Sequence, residues 1–218
     1  MDFTVILLIL VLIVILYLFY TYFIASTKKL VSSAYLLNAV NPISITDQPT
    51  IVNFAVGVWV YMNTWNTENP KNIFALKNGS TEILSLDLGS TDPTLTTTVA
   101  NNEITLTDNF PVQKWVFVIV SLSNNIVDGY LDGRLVTSYQ LPLSTKLGVT
   151  GAATLSVTFQ SGVDAYIYNF QRWTYAMDPQ TAQSAYYYGA PSTNSAMSYN
   201  LSVAVTKGGS DYASASLF

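Results

Sequence analysis

The chain predicts an all-β antiparallel sandwich of the jelly-roll type, preceded by a single N-terminal transmembrane helix. Three observations carry this prediction. Phe3 to Ala25, FTVILLILVLIVILYLFYTYFIA, contains no charge, glycine or proline. From residue 53 onward, short runs of period-two alternation recur between Gly, Asn, Asp and Pro breaks. Residues 114–136, KWVFVIVSLSNNIVDGYLDGRLV, alternate, turn, alternate and turn again on Asp132-Gly133, a pair suited to a two-residue type I′ turn.

The apolar segment comes first. At about 1.5 Å per residue it reaches roughly 34 Å as a helix, enough for a hydrocarbon core of ~30 Å. A cleaved signal peptide is the alternative, but that needs a basic start and a shorter apolar run. Here the start is Met1-Asp2. Tyr17, Tyr20 and Tyr22 crowd the far end and suit a membrane–water interface, with Lys28 and Lys29 following. Two lysines on that side place the rest of the chain on the cytosolic face by the positive-inside rule. The sequons at Asn78 and Asn200 bear on a lumenal domain only.

Residues 1–29 are therefore expected as the anchor and 30–49 as a linker, where Pro42 and Pro49 forbid a long helix. The sandwich is expected over 50–190. Its first strand, NFAVGVWVYMN, sets Phe54, Val56, Val58, Val60 and Met62 on one face and Ala55, Gly57, Trp59 and Tyr61 on the other. Both faces are apolar or aromatic, as in a central strand. Strands follow near 73–77, 83–88, 94–99 and 103–107, separated by Asn78-Gly79, Gly89-Ser90, Asp92-Pro93 and Asn101-Asn102.

The meander comes next, with Trp115, Phe117 and Ile119 on one face and Val116, Val118 and Val120 on the other. Two more strands lie near 154–160 and 165–173. Asp178-Pro179 then starts a short helix, with Asp as N-cap and Pro at N1. Residues 191–218 form an extension with a hairpin centred on Gly208-Gly209.

Composition narrows the chemistry. Of 218 residues, 50% are hydrophobic and 10% charged, against about a quarter charged in typical domains. The net charge of −4 argues against a nucleic-acid partner. The chain has no His and no Cys, so disulfides, Cys- or His-based zinc sites and His- or thiolate-based catalysis are excluded. No cofactor is expected. Glycoside hydrolysis needs two carboxylates at fixed separation, whereas Glu68, Glu82 and Glu103 are scattered, and Glu82 and Asp87 fall on opposite faces of one strand. The chain is thus expected not to be an enzyme. Asp128, Asp132 and Asp164 are the oxygen ligands available for calcium, although Asp132 is explained by its turn and Asp128 as a solvated strand residue.

Among the aromatics, Trp59, Trp115 and Trp173 lie inside strand patterns and are expected in the core. Trp65 sits in the polar loop WNTENPKN and is the best candidate for an exposed contact. Tyr187 and Tyr188, in the run Tyr186-Tyr187-Tyr188, either face a partner or split between core and surface.

NFAVGVWVYMNTWN, PVQKWVFVIVSLSNNIVDGYLDGRLV and AYIYNFQRWTYAMDPQTAQSAYYYG resemble, in order, three blocks of laminin-G-like, concanavalin-A-like domains, over roughly residues 50–190. Gly57 and Val58 depart from the Ser and Phe of that pattern, and Thr181 stands where Glu is common. The N-x-W opening and P-Q-x-A closing resemble the branch found in minor capsid proteins of large icosahedral DNA viruses, a giant-virus setting. That resemblance implies a structural virion protein whose helix, residues 3–25, holds an internal lipid membrane. Its sandwich would join capsid proteins or copies of itself, on the cytosolic side. The other reading is a membrane-anchored lectin-like or adhesion module that binds a glycan or a protein.

Overall fold

The structure is a computed structural model that describes residues 3–19, 27–37, 40–45, 53–65, 71–145, 155–159, 163–191, 201–207 and 210–217. Two antiparallel sheets pack face to face. The first contains β1 (Thr27–Val31), β2 (Tyr35–Leu36), β4 (Asn53–Met62), β9 (Trp115–Ser123), β10 (Ile126–Leu131), β11 (Arg134–Gln140) and β13 (Ala165–Trp173), in the order β1-β13-β4-β9-β10-β11, with β2 also on β13. The second contains β3 (Ile43–Ile45), β5 (Lys71–Asn78), β6 (Thr81–Leu88), β7 (Leu95–Val99), β8 (Asn102–Thr107) and β12 (Leu155–Thr158), in the order β3-β12-β5-β6-β7-β8. β14 (Leu201–Lys207) and β15 (Ser210–Leu217) form a separate hairpin.

The meander is as expected. Asp132 and Gly133 take φ of +48° and +77°, the left-handed pair a type I′ turn requires. The alternation of β4 and β9 sorts two hydrophobic clusters. Phe54, Val56, Val58, Val60, Met62, Val116, Val118 and Val120 fill the space between the sheets with Leu76, Leu84, Leu86 and Phe170. Ala55, Trp59, Phe117, Ile119, Tyr130 and Trp173 point to the outer face of the first sheet, where Met177 and Ala182 cover them. Ala182 belongs to α2 (Pro179–Gly189), whose N-cap Asp178 accepts from the backbone N–H groups of Gln180 and Thr181. Because both faces of β4 are buried, near-continuous apolar sequence is needed there.

The N-terminal region differs from expectation. α1 (Phe3–Phe19) has 17 residues, and among the described residues no helix is long and apolar enough to cross a membrane. Tyr17 lies on α1 and is exposed, whereas Tyr20 and Tyr22 fall outside the described residues. Lys28 and Lys29 do not extend the anchor. They pair with Arg172 and Gln171 as part of β1, an edge strand of the sandwich. The physical reason is that β1 carries Leu30 and buried Val31 into the main core, and lysines are a common means of blunting an open sheet edge. The stretch 30–49, expected as a linker, likewise supplies β2 and β3, one to each sheet. Pro42 excluded a helix there but not strands.

Strand register defines two ends of the sandwich. Thr27 is opposite Trp173, Trp173 opposite Ala55, and Ala55 opposite Ser121. The end at which the chain arrives from α1 therefore also holds Asn53, the turn between β9 and β10, and the end of β11. Tyr61, Trp115, Ala165 and the Asp132-Gly133 turn lie at the opposite, far end.

Candidate functional site

α2 has 11 residues and so spans about 16 Å. β4 has 10 and so runs about 30 Å. The helix cannot cover the whole outer face of the first sheet. Below it, Trp59 stacks on Phe117 at 5.0 Å and on Tyr186 at 5.3 Å. Beyond it, toward the far end, four rings are only partly covered. Tyr61 is opposite both Trp115 and Tyr166 in the strand register. Its ring centroid lies 5.4 Å from that of Trp115 and 6.4 Å from that of Tyr166, and Tyr168 closes the group at 6.3 Å from Trp115.

One step farther along the same face, Asn63 and Asp164 continue the alternation. The Asn63 amide donates to both carboxylate oxygens of Asp164, at 3.3 and 3.1 Å, and the Thr64 hydroxyl donates to Oδ2. The result is a rigid aromatic platform built on three adjacent strands, bordered by a carboxylate, an amide and a hydroxyl. Such a surface offers ring faces for stacking and lone pairs for hydroxyl donors.

The residues expected from sequence fall elsewhere. Trp65 is partly buried against the main core, with the Lys71 ammonium 4.5 Å above its ring. Lys71 is itself buried and donates to the carbonyls of Gly89 and Ser90, and its burial lowers its pKa. Trp65 also lines a cavity of about 380 Å³ with Thr91, Pro93, Phe110 and Val112. Tyr187 and Tyr188 are 67% and 92% exposed, and Tyr187 borders a cavity of about 530 Å³ with Asp132, Arg134 and Gln183. Neither Trp65 nor the tyrosine pair joins the platform. Trp59 and Trp173 are buried as expected, but under α2 rather than between the sheets. Trp115 is only partly buried, at the margin of that second cluster.

Among the described residues, no group of three or more acidic side chains could hold a metal ion. Asp132 is used by its turn, accepting from the Phe117 N–H at 2.9 Å with Lys114 3.5 Å away. Asp87 accepts from Asn72 at 2.7 Å and Ser85 at 2.6 Å.

A laminin-G-type family model, described as the concanavalin A-like lectin/glucanases superfamily, matches residues 38–183. The chain belongs to that superfamily. The match begins in the expected linker, in keeping with β3 being part of the sandwich. No curated protein sequence matches the chain. Among solved structures, the botulinum neurotoxin serotype D binding domain is similar at a TM-score of 0.54 and 16% identity, covering 71% of this chain and 42% of that one. A structure of botulinum neurotoxin type C, whose cell entry is described as dependent on two ganglioside molecules, is similar at a TM-score of 0.51 and 16% identity, covering 76% and 46%. The chain thus spans less than half the length of these structures, and at such identity the likeness concerns the fold.

Proposed function

We propose that this concanavalin A-like protein is a non-enzymatic recognition module, held at a membrane by its N-terminal helix, whose sandwich binds a carbohydrate on the Tyr61–Trp115–Tyr166–Tyr168 platform. The observation that carries the reading is the platform itself: four rings on strands, left open by a helix too short to cover them, beside the Asn63–Asp164 pair. The area of four partly covered rings falls well short of the roughly 800 Å² per partner of a stable protein interface. It suits a small carbohydrate, which can stack on ring faces and donate its hydroxyls to the bordering carboxylate. The lectin-like fold and the ganglioside-dependent entry described for one neighbour support the same reading.

Membrane attachment is supported by α1, whose side chains from Leu7 to Leu18 are all exposed and, apart from the Tyr17 hydroxyl, apolar. A helix apolar on every side is stable only inside other apolar matter, of which lipid is one kind.

Glycan arrays probed with the full chain in lipid nanodiscs test the proposal. Binding that is lost in Trp115→Ala and kept in Trp65→Ala is the expected result. Loss in Trp65→Ala alone would move the site to the other cavity, and no binding at all would overturn the reading.

The role of linking an internal membrane to a capsid shell is the second reading. It rests on the resemblance of the sequence blocks and on Lys28 and Lys29 following the apolar helix, which favours a cytosolic sandwich. The strand role of those lysines gives them another explanation. Sidedness separates the readings. Glycosylation at Asn78 or Asn200 in eukaryotic cells goes with an outward-facing glycan binder. An unmodified, protease-accessible domain goes with the shell.

A further inference from the structure

Among the described residues, the end of the sandwich at which the chain arrives from α1 carries exposed apolar side chains. Leu143 stands at the tip of the turn closed by Thr145 N–H on the Pro142 carbonyl, and it is 90% exposed. Ile126 and Tyr139 are also exposed, in the last two registers of β10 and β11, where Ile126 is opposite Gln140 and Val127 opposite Tyr139. The turn of residues 123–126 and the stretch 140–145 contain no charged side chain. Neutral Asn124, Asn125 and Gln140 flank the apolar tips in sequence. The two segments are tied together, because the Leu141 N–H donates to the Asn125 carbonyl at 2.7 Å.

Chain connectivity says what lies near this end. Only residues 20–26 separate α1 from Thr27, so the connection reaches at most about 28 Å. β1 and β11 are the two edges of a six-strand path, about 24 Å apart at the usual strand spacing of ~4.8 Å. The tether therefore enters at one side of this end while Ile126, Tyr139 and Leu143 stand at the other.

We infer that this end of the sandwich is a second lipid-contacting surface, with Leu143, Ile126 and Tyr139 seated at the headgroup boundary. The inference rests on the membrane reading of α1. A single attachment leaves a domain free to swing. Two attachments 24 Å apart on one end hold the strands upright on the membrane. Tyr61 is eight residues along β4 from Asn53 and so lies about 27 Å from the lipid, with the platform turned away from it. Apolar tips on the β9–β11 side of this end suit a shallow interfacial contact, which depends on buried apolar area, and exposed Glu82 and Glu103 at the same end of the second sheet favour a zwitterionic over an anionic surface.

The absence of cysteine in the chain makes the test direct. Single variants Leu143→Cys, Ile126→Cys, Leu12→Cys and Thr91→Cys of the full chain, each carrying an environment-sensitive fluorophore, are reconstituted into zwitterionic vesicles containing brominated lipid. Thr91, beside Trp65 at the far end, is the water-exposed reference, and Leu12 reports α1. The expected result is a blue shift and loss of emission at positions 143 and 126 as well as at 12, with none at 91. Quenching at 12 but not at 143 and 126 overturns the inference and leaves the anchor standing. No quenching at 12 overturns the membrane reading and the inference with it. Quenching at 91 as well would mean a domain lying flat, which also overturns it.

Discussion

The Tyr130 hydroxyl donates to the Met177 carbonyl at 2.9 Å, in a site where Tyr130 is 1% exposed. Tyr130 belongs to the meander and Met177 to the segment that leads into α2. One buried bond thus joins parts of the chain 47 residues apart. The Met177 N–H donates to Ser121 at 2.8 Å, so both backbone groups of Met177 are satisfied by the sheet.

Tyr130→Phe leaves that carbonyl buried and unpaired, and it should cost about 1–3 kcal/mol by denaturant unfolding. The cost should shrink at high pH. Burial, and after it the carboxylates of Asp128 and Asp178, push the Tyr130 phenol up to about 12 from its usual 10.0. The native state then keeps a proton that the unfolded chain releases. The stabilising effect is complete below about pH 10 and declines as pH rises toward about 12, by roughly 3 kcal/mol at most. The variant has no such proton. Its deficit relative to the parent should narrow across that window, and a constant deficit would rule this account out.

Trp115→Ala should fold and lose clearly less stability than a fully buried aromatic would, because the ring lies at a partly open margin. Phe117→Ala, two residues along the same face, should cost about 3–5 kcal/mol, since Phe117 is fully buried and stacked on Trp59. Thermal unfolding of the two variants side by side checks the placement of the platform. Equal losses would return Trp115 to the core.

Gly57→Ser should be destabilising by about 1–3 kcal/mol. A Cβ at Gly57 would lie 2.8 Å from the Trp173 ring and 3.2 Å from Ile119. The departure from the Ser of the laminin-G-like pattern is thus matched by a tryptophan ring packed close against the Gly57 backbone. Chemical denaturation of Gly57→Ser alone and with Trp173→Leu measures the coupling, and the second change should recover part of the loss.

Asp178→Ala should cost about 1 kcal/mol at neutral pH, through loss of the α2 N-cap. The Thr181 hydroxyl and the Thr181 and Gln180 N–H groups hold the Asp178 carboxyl below its usual value. A depressed native pKa stabilises above the unfolded value near 3.8 and loses that effect as pH falls through the native one. The difference between parent and variant should therefore disappear in acid. Urea titrations at pH 7 and at pH 2–3 would show it.

Much of this fold could be read in the chain. Period-two alternation fixed β4 and β9 because a strand buried on both faces must be apolar on both. Asp132-Gly133 fixed the β10–β11 turn because few residues accept positive φ at both positions, and Asp178-Pro179 fixed the start of α2. The strands of residues 27–45 were hidden. They are short, one carries two lysines and another follows a proline, and they owe their strand state to pairing with β13 and β12, far along the chain. Local pattern holds no trace of such partners.

The candidate site divides in the same way. Sequence alone determined that Tyr61 and Trp59 share one face of β4, that Trp115 and Phe117 share one face of β9, and that only a short helix follows them. It did not determine which of those rings the helix would cover. That depended on where α2 lands, and its position is set by Tyr130 and Ser121 holding Met177. The helix shields Trp59, Phe117 and Trp173 and stops short of Tyr61 and Trp115. Burial of a side chain is a property of whatever is packed on it from a distant part of the chain. Alternation reveals the two faces of a strand, and only the tertiary structure decides which stretch of a face is left open.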